Sequence, residues 1–223
     1  MCGRASLTAS PEEIEEAFDL AQPPAVSPRY NIAPSEPMLV VRSSEAGARE
    51  SAFLRWGLIR PGSEEAKAPI NLPIEKAAKG ALRGTLRERR CIIPMTGFYE
   101  WKRAGKARQP YNVRRKDGSV FGVAGVWDRL ESGDAEPLES CLVLTTEANG
   151  VVRPIHGRMP VILDQLSYAA WLDGATVTAS QLLGNLQELP EELLESYPVS
   201  PLVNRAGVED PRCVEPAKPT TLW

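Results

Sequence analysis

The chain has 223 residues, a formal net charge of −3, and 43% hydrophobic against 25% charged residues. That is the balance of a globular protein long enough to bury a core. No apolar run approaches the roughly 18 residues of a membrane span, and no basic-then-apolar leader opens the sequence, so neither a membrane partner nor a secretory signal is expected. The four cysteines, Cys2, Cys91, Cys141 and Cys213, are dispersed without a CxxC pair. Their spacing argues against a zinc site or a disulfide framework and for a reducing cytoplasm.

In chain order, Ser10-Pro11-Glu12-Glu13 has the form of a capping box with proline at the first helical position, predicting a short helix to about Leu20. PMLVVR (37–42) and SAFLRW (51–56) read as strands. IEKAAKGALRGTL (74–86) reads as a helix weakened at Gly80 and Gly84. CIIPMTGFYEWK (91–102) supplies one or two short strands interrupted at Pro94 and Gly97. YNVRRKDGSVFGVAGVW (111–127) reads as a hairpin, because Asp117-Gly118 suits a tight primed turn between alternating runs. CLVLTTE (141–147) and MPVIL (159–163) are further strands. DQLSYAAWLD (164–173), SQLLGNLQ (180–187) and PEELLESY (190–197) are short helical segments, and YPVSPLVN (197–204) returns to an extended form. Twenty prolines spread along the chain predict many turns and few long helices. The fold expected is a single α+β domain over 1–223, with a predominantly antiparallel, barrel-like sheet and short flanking helices.

Charge is placed unevenly. Thirteen of the 26 Lys and Arg residues fall between Lys76 and Lys116, against only Glu88 and Glu100. A local basic face for nucleic acid and a set of solvated strand and helix faces both fit that distribution.

Four places put polar groups among apolar or glycine-rich neighbours: MCGR at the start, APINLPIEK around Asn71, GFYEWK around Glu100, and IHGRMPVIL with His156, the single histidine. Singly, each has an ordinary reading: Glu100 as a water-facing strand residue, Asn71 as a turn residue, His156 as a structural histidine, Arg4 as a partner of the acidic helix. Together they supply a nucleophile, a carboxylate, an amide and an imidazole. If Met1 is removed, as is expected when a small residue follows it, Cys2 carries an α-amine and a thiol on adjacent carbons.

The ordered set MCGR, YNIAPS (30–35), WGLI (56–59), INLPIEK (70–76), GFYEWK (97–102), HGRMP (156–160) and YPVSPLVN (197–204) resembles the SRAP family, the SOS response-associated peptidase domain. The matches span residues 2 to about 204 and leave 205–223 as a tail. The resemblance implies a sensor of abasic sites in single-stranded DNA that needs no cofactor or metal and acts as a monomer, cytoplasmic and nucleoid-associated when DNA-bound. It implies Cys2 as the covalent nucleophile forming a thiazolidine, with lyase-like chemistry, and Glu100, His156 and Asn71 as the catalytic groups around it. Gly3, Arg4, Asn31, Trp56, Lys76 and Arg158 are the DNA-binding positions it implies. The family name carries an alternative, an N-terminal-nucleophile cysteine peptidase or amidohydrolase with autoprocessing activity. A non-enzymatic nucleic-acid module is a third reading. Where family members carry an arginine two residues after the asparagine, this chain has Pro73, and the stretch after WGLI lacks an aromatic. Strand binding weaker or differently shaped than the family's is expected on that account.

Overall fold

Ser10 closes the capping box in full: its side chain accepts from the Glu13 backbone, and the Glu13 carboxylate accepts from the Ser10 N–H. The helix so started, α1 (Pro11–Phe18), ends at Asp19 in the left-handed conformation and buries Ile14 and Phe18. The computed structural model describes residues 2–60, 64, 67–105, 107–132, 135–173 and 186–217.

Ahead of α1 lies β1 (Ala5–Leu7), and after it come β2 (Arg29–Ile32), β3 (Pro37–Ser43) and β4 (Arg49–Trp56). Next are β5 (Asn71–Pro73), the short helices α2 (Ile74–Ala77) and α3 (Arg83–Glu88), β6 (Arg90–Met95) and β7 (Gly97–Ala104). The remainder runs β8 (Ala107–Arg115), β9 (Phe121–Ser132), β10 (Ala135–Glu147), β11 (Arg158–Pro160), β12 (Ile162–Leu163), α4 (Tyr168–Leu172) and β13 (Leu194–Pro198).

Strands β10, β4, β3, β6 and β9 are neighbours in that order, and β9 pairs back onto β10, closing a five-stranded barrel. β5, β11 and β12 extend it. A second sheet has the order β13-β8-β7-β1-β2. All pairings are antiparallel except those of β10 with β4 and β5. The fold is the α+β, barrel-like, single-domain architecture expected. Val40, Val41, Leu54, Ile92, Ile93, Val123, Val126 and Leu142 are buried in its core, and such burial is the main favourable term in folding. Arg90 is buried as well and makes four backbone contacts. It donates to the carbonyls of Leu86 and Arg87 (both 2.8 Å) and to those of Trp171 and Asp173. These are the carbonyls that α3 and α4 leave without intrahelical partners.

Several local expectations are corrected. The Asp117-Gly118 turn does not join a hairpin. β8 pairs with β7 and β13, whereas β9 lies in the barrel, so the turn is a corner between two sheets. Turn chemistry fixes the local reversal, not the partners of the strands that leave it. PEELLESY is not a helix: residues 191–193 form one 3₁₀ turn, and 194–198 are β13, registered from Leu194↔Arg115 to Pro198↔Tyr111. Of YPVSPLVN, only the start is extended, and Pro201–Asn204 forms a 3₁₀ turn. The helix over 74–86 is two short ones separated around Gly80. Pro94 does not interrupt its strand, because it pairs with Gly122 within β6. The one registered β3–β6 pair is Val41↔Ile92, so no ladder bond to β3 is lost at Pro94. DQLSYAAWLD is a 3₁₀ turn (165–167) followed by α4. The segment 180–185 of SQLLGNLQ lies outside the described residues.

Candidate active site around Cys2 and Glu100

The start of the chain is a central element, because β1 sits between β2 and β7. The register Ala5↔Phe98 and Ser6↔Gly97 runs the segment before β1 alongside the stretch that carries Glu100. Gly97 makes the approach possible. A Cβ there would come within 2.5 Å of Asn112 Oδ1, closer than real Cβ contacts allow, and within a tight 3.0 Å of Ser6 Oγ.

Cys2 is 1% exposed and Glu100 2%. The Cys2 backbone nitrogen donates to Glu100 Oε1 at 2.5 Å. Its thiol lies 3.9 Å from the Arg4 carbonyl, and its own carbonyl accepts from Asn71 Nδ2 at 3.4 Å. Asn71 opens β5, which β10 holds through the pair Val143↔Asn71. His156, half-buried, places Nδ1 3.9 Å from Glu100 Oε1. The same nitrogen is 3.1 Å from the Arg158 backbone nitrogen and 3.0 Å from the Arg158 carbonyl, so its protonation decides whether it accepts from one or donates to the other. The four residues of the expected catalytic set, separated by up to 154 positions in the chain, thus stand around one point.

The electrostatics follow from burial. Loss of solvation raises the Glu100 carboxyl above its ordinary value, opposed by the hydrogen bond from Cys2 and by His156. Burial, reinforced by the Glu100 charge, pushes the Cys2 thiol up.

Trp101 follows Glu100 on β7, half-buried, with its indole N–H on Asn204 Oδ1 at 2.7 Å. Glu100, Trp101, Arg103, Arg108 and His156 line a hollow of about 270 Å³. Trp101 and Arg108 also line an adjoining one of about 380 Å³ with Gly3, Arg4 and Asn204.

The SOS response associated peptidase (SRAP) family model matches residues 1–206. The chain belongs to the SRAP family. Abasic site processing protein YoqW of Bacillus subtilis (strain 168) is 34% identical over 223 residues, covering 96% of this chain and 99% of that protein. Abasic site processing protein YoaM of the same organism is 34% identical over 212 residues, covering 92% of this chain and 93% of that protein. A crystal structure of a protein from Bacteroides thetaiotaomicron superposes with a TM-score of 0.84 at 22% identity, over 97% of this chain and 100% of that one, a likeness of fold.

Within this SRAP domain the expected strand-contacting residues divide. Gly3 and Arg4 border the hollow, and Lys76 is exposed on α2. Asn31 and Trp56 are fully buried and present no face to a strand. Asn31 accepts from Arg4 Nη1 at 3.0 Å and donates to the Arg205 carbonyl at 2.8 Å, while Trp56 donates to the Ile70 carbonyl at 2.9 Å. The Arg158 guanidinium is occupied, donating to both Glu75 oxygens (2.8 and 3.1 Å) and to the Thr145 carbonyl (2.7 Å). Four of the thirteen basic residues of the stretch are likewise spent within the fold: Arg89 on Asp128, Arg114 on Glu195, Arg115 on Asp117, and Arg90 inside. Sequence reasoning passed over Trp101, Arg103, Arg108 and Asn204. The signal was the continuation of GFYEWK into a second strand, which brings Arg108 back opposite Arg103. Among the described residues no group of three or more metal-ligating side chains gathers, and no helix is long and apolar enough to cross a membrane.

Proposed function

We propose that this chain processes abasic sites in single-stranded DNA by linking to them covalently through Cys2, which becomes an amino-terminal 1,2-aminothiol once Met1 is removed. The observation that carries this reading is the buried 2.5 Å contact between the Cys2 nitrogen and Glu100 Oε1. It occurs in a family whose members YoqW and YoaM are named abasic site processing proteins.

An abasic deoxyribose opens to an aldehyde at C1′. Glu100 takes the extra proton from the Cys2 ammonium, and the neutral amine adds to C1′. The former aldehyde oxygen is protonated, with His156 as the adjacent donor, and leaves as water to give an imine. The thiol sulfur then adds to the same carbon while its proton passes by way of Glu100 to the nitrogen, closing a five-membered thiazolidine. Aldehyde and aminothiol are consumed, and water is the only by-product. A carboxyl raised by burial lies nearer the ordinary amine range of ~7.7–8.0, which makes the proton exchange between them less uphill. The raised thiol favours this amine-led order over thiolate attack on a peptide bond. Asn71 holds the Cys2 carbonyl and so keeps the reacting end in register with Glu100.

The test is incubation of Met1-free protein with a single-stranded oligonucleotide carrying one abasic site, followed by denaturing electrophoresis. A shifted band with the wild type and none with Cys2→Ala is expected. No band with the wild type, or an undiminished band with Cys2→Ala, overturns the reading.

A further inference from the structure

β7 and β8 run on past the site as a two-stranded ribbon whose last pairs are Lys102↔Gln109, Arg103↔Arg108 and Ala104↔Ala107. Directly opposed residues of an antiparallel pair project from one face with Cβ atoms about 4.5–5.5 Å apart, and like charges so placed repel. Arg103 and Arg108 are both exposed, and no ion pair or hydrogen bond among the described residues engages either guanidinium. Of the three cations expected to meet the strand, Arg4 is engaged on Asn31 and the Val203 carbonyl and Arg158 on Glu75, and Lys76 is exposed on α2. Two facing guanidiniums with no acid between them form a site that an anion would relieve, and planar forks suit phosphate oxygens in particular.

The position of the pair indicates which phosphate. Both residues line the hollow that holds Glu100 and His156, and Arg108 carries that surface into the adjoining hollow beside Gly3 and Arg4. Trp101 borders both, pinned through its indole N–H, with a flat apolar body of the kind on which bases stack. A surface of two joined hollows, one aromatic and two unpaired cations suits a chain passing through, more than a small anion held in a closed cage.

We propose that Arg103 and Arg108 act as a clamp seating one phosphodiester of single-stranded DNA, next to the sugar held at Cys2. The choice of strand and sugar rests on the function proposed above; the unpaired cations do not. Because the pair straddles one phosphate, its contribution is independent of base sequence and of whether the adjacent base is missing.

The test measures equilibrium binding of intact and abasic single-stranded oligonucleotides against salt, in the Cys2→Ala background so that no covalent product accumulates. Arg103→Ala/Arg108→Ala is expected to make the slope of log K on log salt shallower by about 0.7, the value of one neutralised phosphate on a single strand. Affinity for intact and abasic strands falls by the same factor, and Arg103→Lys/Arg108→Lys retains the slope. With Cys2 restored, the alanine pair needs a higher strand concentration than the wild type to reach half of its maximal crosslinking. Its thermal midpoint is no lower than that of the wild type, since the substitution relieves a repulsion. An unchanged slope overturns the clamp, as does a loss confined to the abasic strand. Displacement of the wild-type strand by inorganic phosphate beyond that by chloride at equal ionic strength is expected, and its persistence in the alanine pair also overturns the clamp. Clamp-dependent binding by a wild type that never crosslinks refutes the Cys2 chemistry and leaves the phosphate contact standing.

Discussion

Replacing Glu100 with glutamine preserves the size of the side chain and a carbonyl oxygen to accept from the Cys2 nitrogen, while removing the capacity to take a proton. In the proposed sequence that proton transfer precedes carbon–nitrogen bond formation, so the loss falls on the rate and not on strand binding. A positioned general base contributes about 10²–10⁴-fold. The Glu100 side chain is 3% exposed, so bulk water has little access to take over as base, and the effect belongs in the upper part of that range. A loss of about 10³-fold corresponds to roughly 4 kcal/mol of activation free energy. The assay is the single-turnover rate of crosslink formation at saturating abasic strand, followed by denaturing gel across pH. In the wild type the rate drops as pH falls and the raised carboxyl becomes protonated; in Glu100→Gln that limb is replaced by one set by the Cys2 amine itself, in the ordinary range of ~7.7–8.0. A Glu100→Gln rate within about threefold of wild type, or one retaining the same acidic limb, refutes the assignment of Glu100 as the base.

The same carboxyl makes a stability prediction. The folded chain binds the Glu100 proton more tightly than the unfolded chain, so wild-type stability declines as pH rises from the ordinary carboxyl value of ~4.3 through the raised one. Denaturant titrations should show Glu100→Gln gaining on the wild type across that window; an equal pH dependence of the two counts against a desolvated carboxyl. Gly97→Ala drives a methyl against Asn112 and Ser6, costing about 1–3 kcal/mol and slowing crosslinking by shifting Glu100 from Cys2; a variant that melts and reacts as wild type would contradict the tight approach of β1 and β7. Asn31→Ala leaves Arg4 and the Arg205 carbonyl short of partners and is expected to lower stability by about 1–3 kcal/mol, measured by urea unfolding. A direct base contact by Asn31 would instead show as sequence-dependent loss of strand affinity at unchanged stability.

What could be read in advance depended on the range of the interaction. The α1 cap was legible because Ser10, Pro11 and Glu13 act within one turn. The second half of PEELLESY was misread because its helix-forming residues are overruled by a partner some eighty positions earlier, β8, which takes them into a ladder. The Asp117-Gly118 reversal was visible and its meaning was not, since β8 and β9 find other neighbours. In the site, Cys2, Asn71, Glu100 and His156 came from an ordered motif set, and no property of the separate segments measures the 2.5 Å between residues 98 positions apart. Residue type also hides burial: Asn31 and Trp56 have the chemistry of strand contacts and the environment of core residues. Arg103 and Arg108 were obscured by the number of basic residues around them, several of which the fold uses for its own ion pairs.

The central place of β1 has a consequence for how the protein is made. Ser6 meets its partner strand at Gly97, 91 residues further along, and at synthesis rates of about 5–20 residues per second that partner follows roughly 5–18 s later. Until then β1 has only β2 to pair with, and the first residues lie open to an aminopeptidase. Afterwards Cys2 is sealed against Glu100 at 1% exposure. The nascent chain thus offers a window of several seconds in which the end that the proposed chemistry requires can mature before β7 exists to bury Cys2.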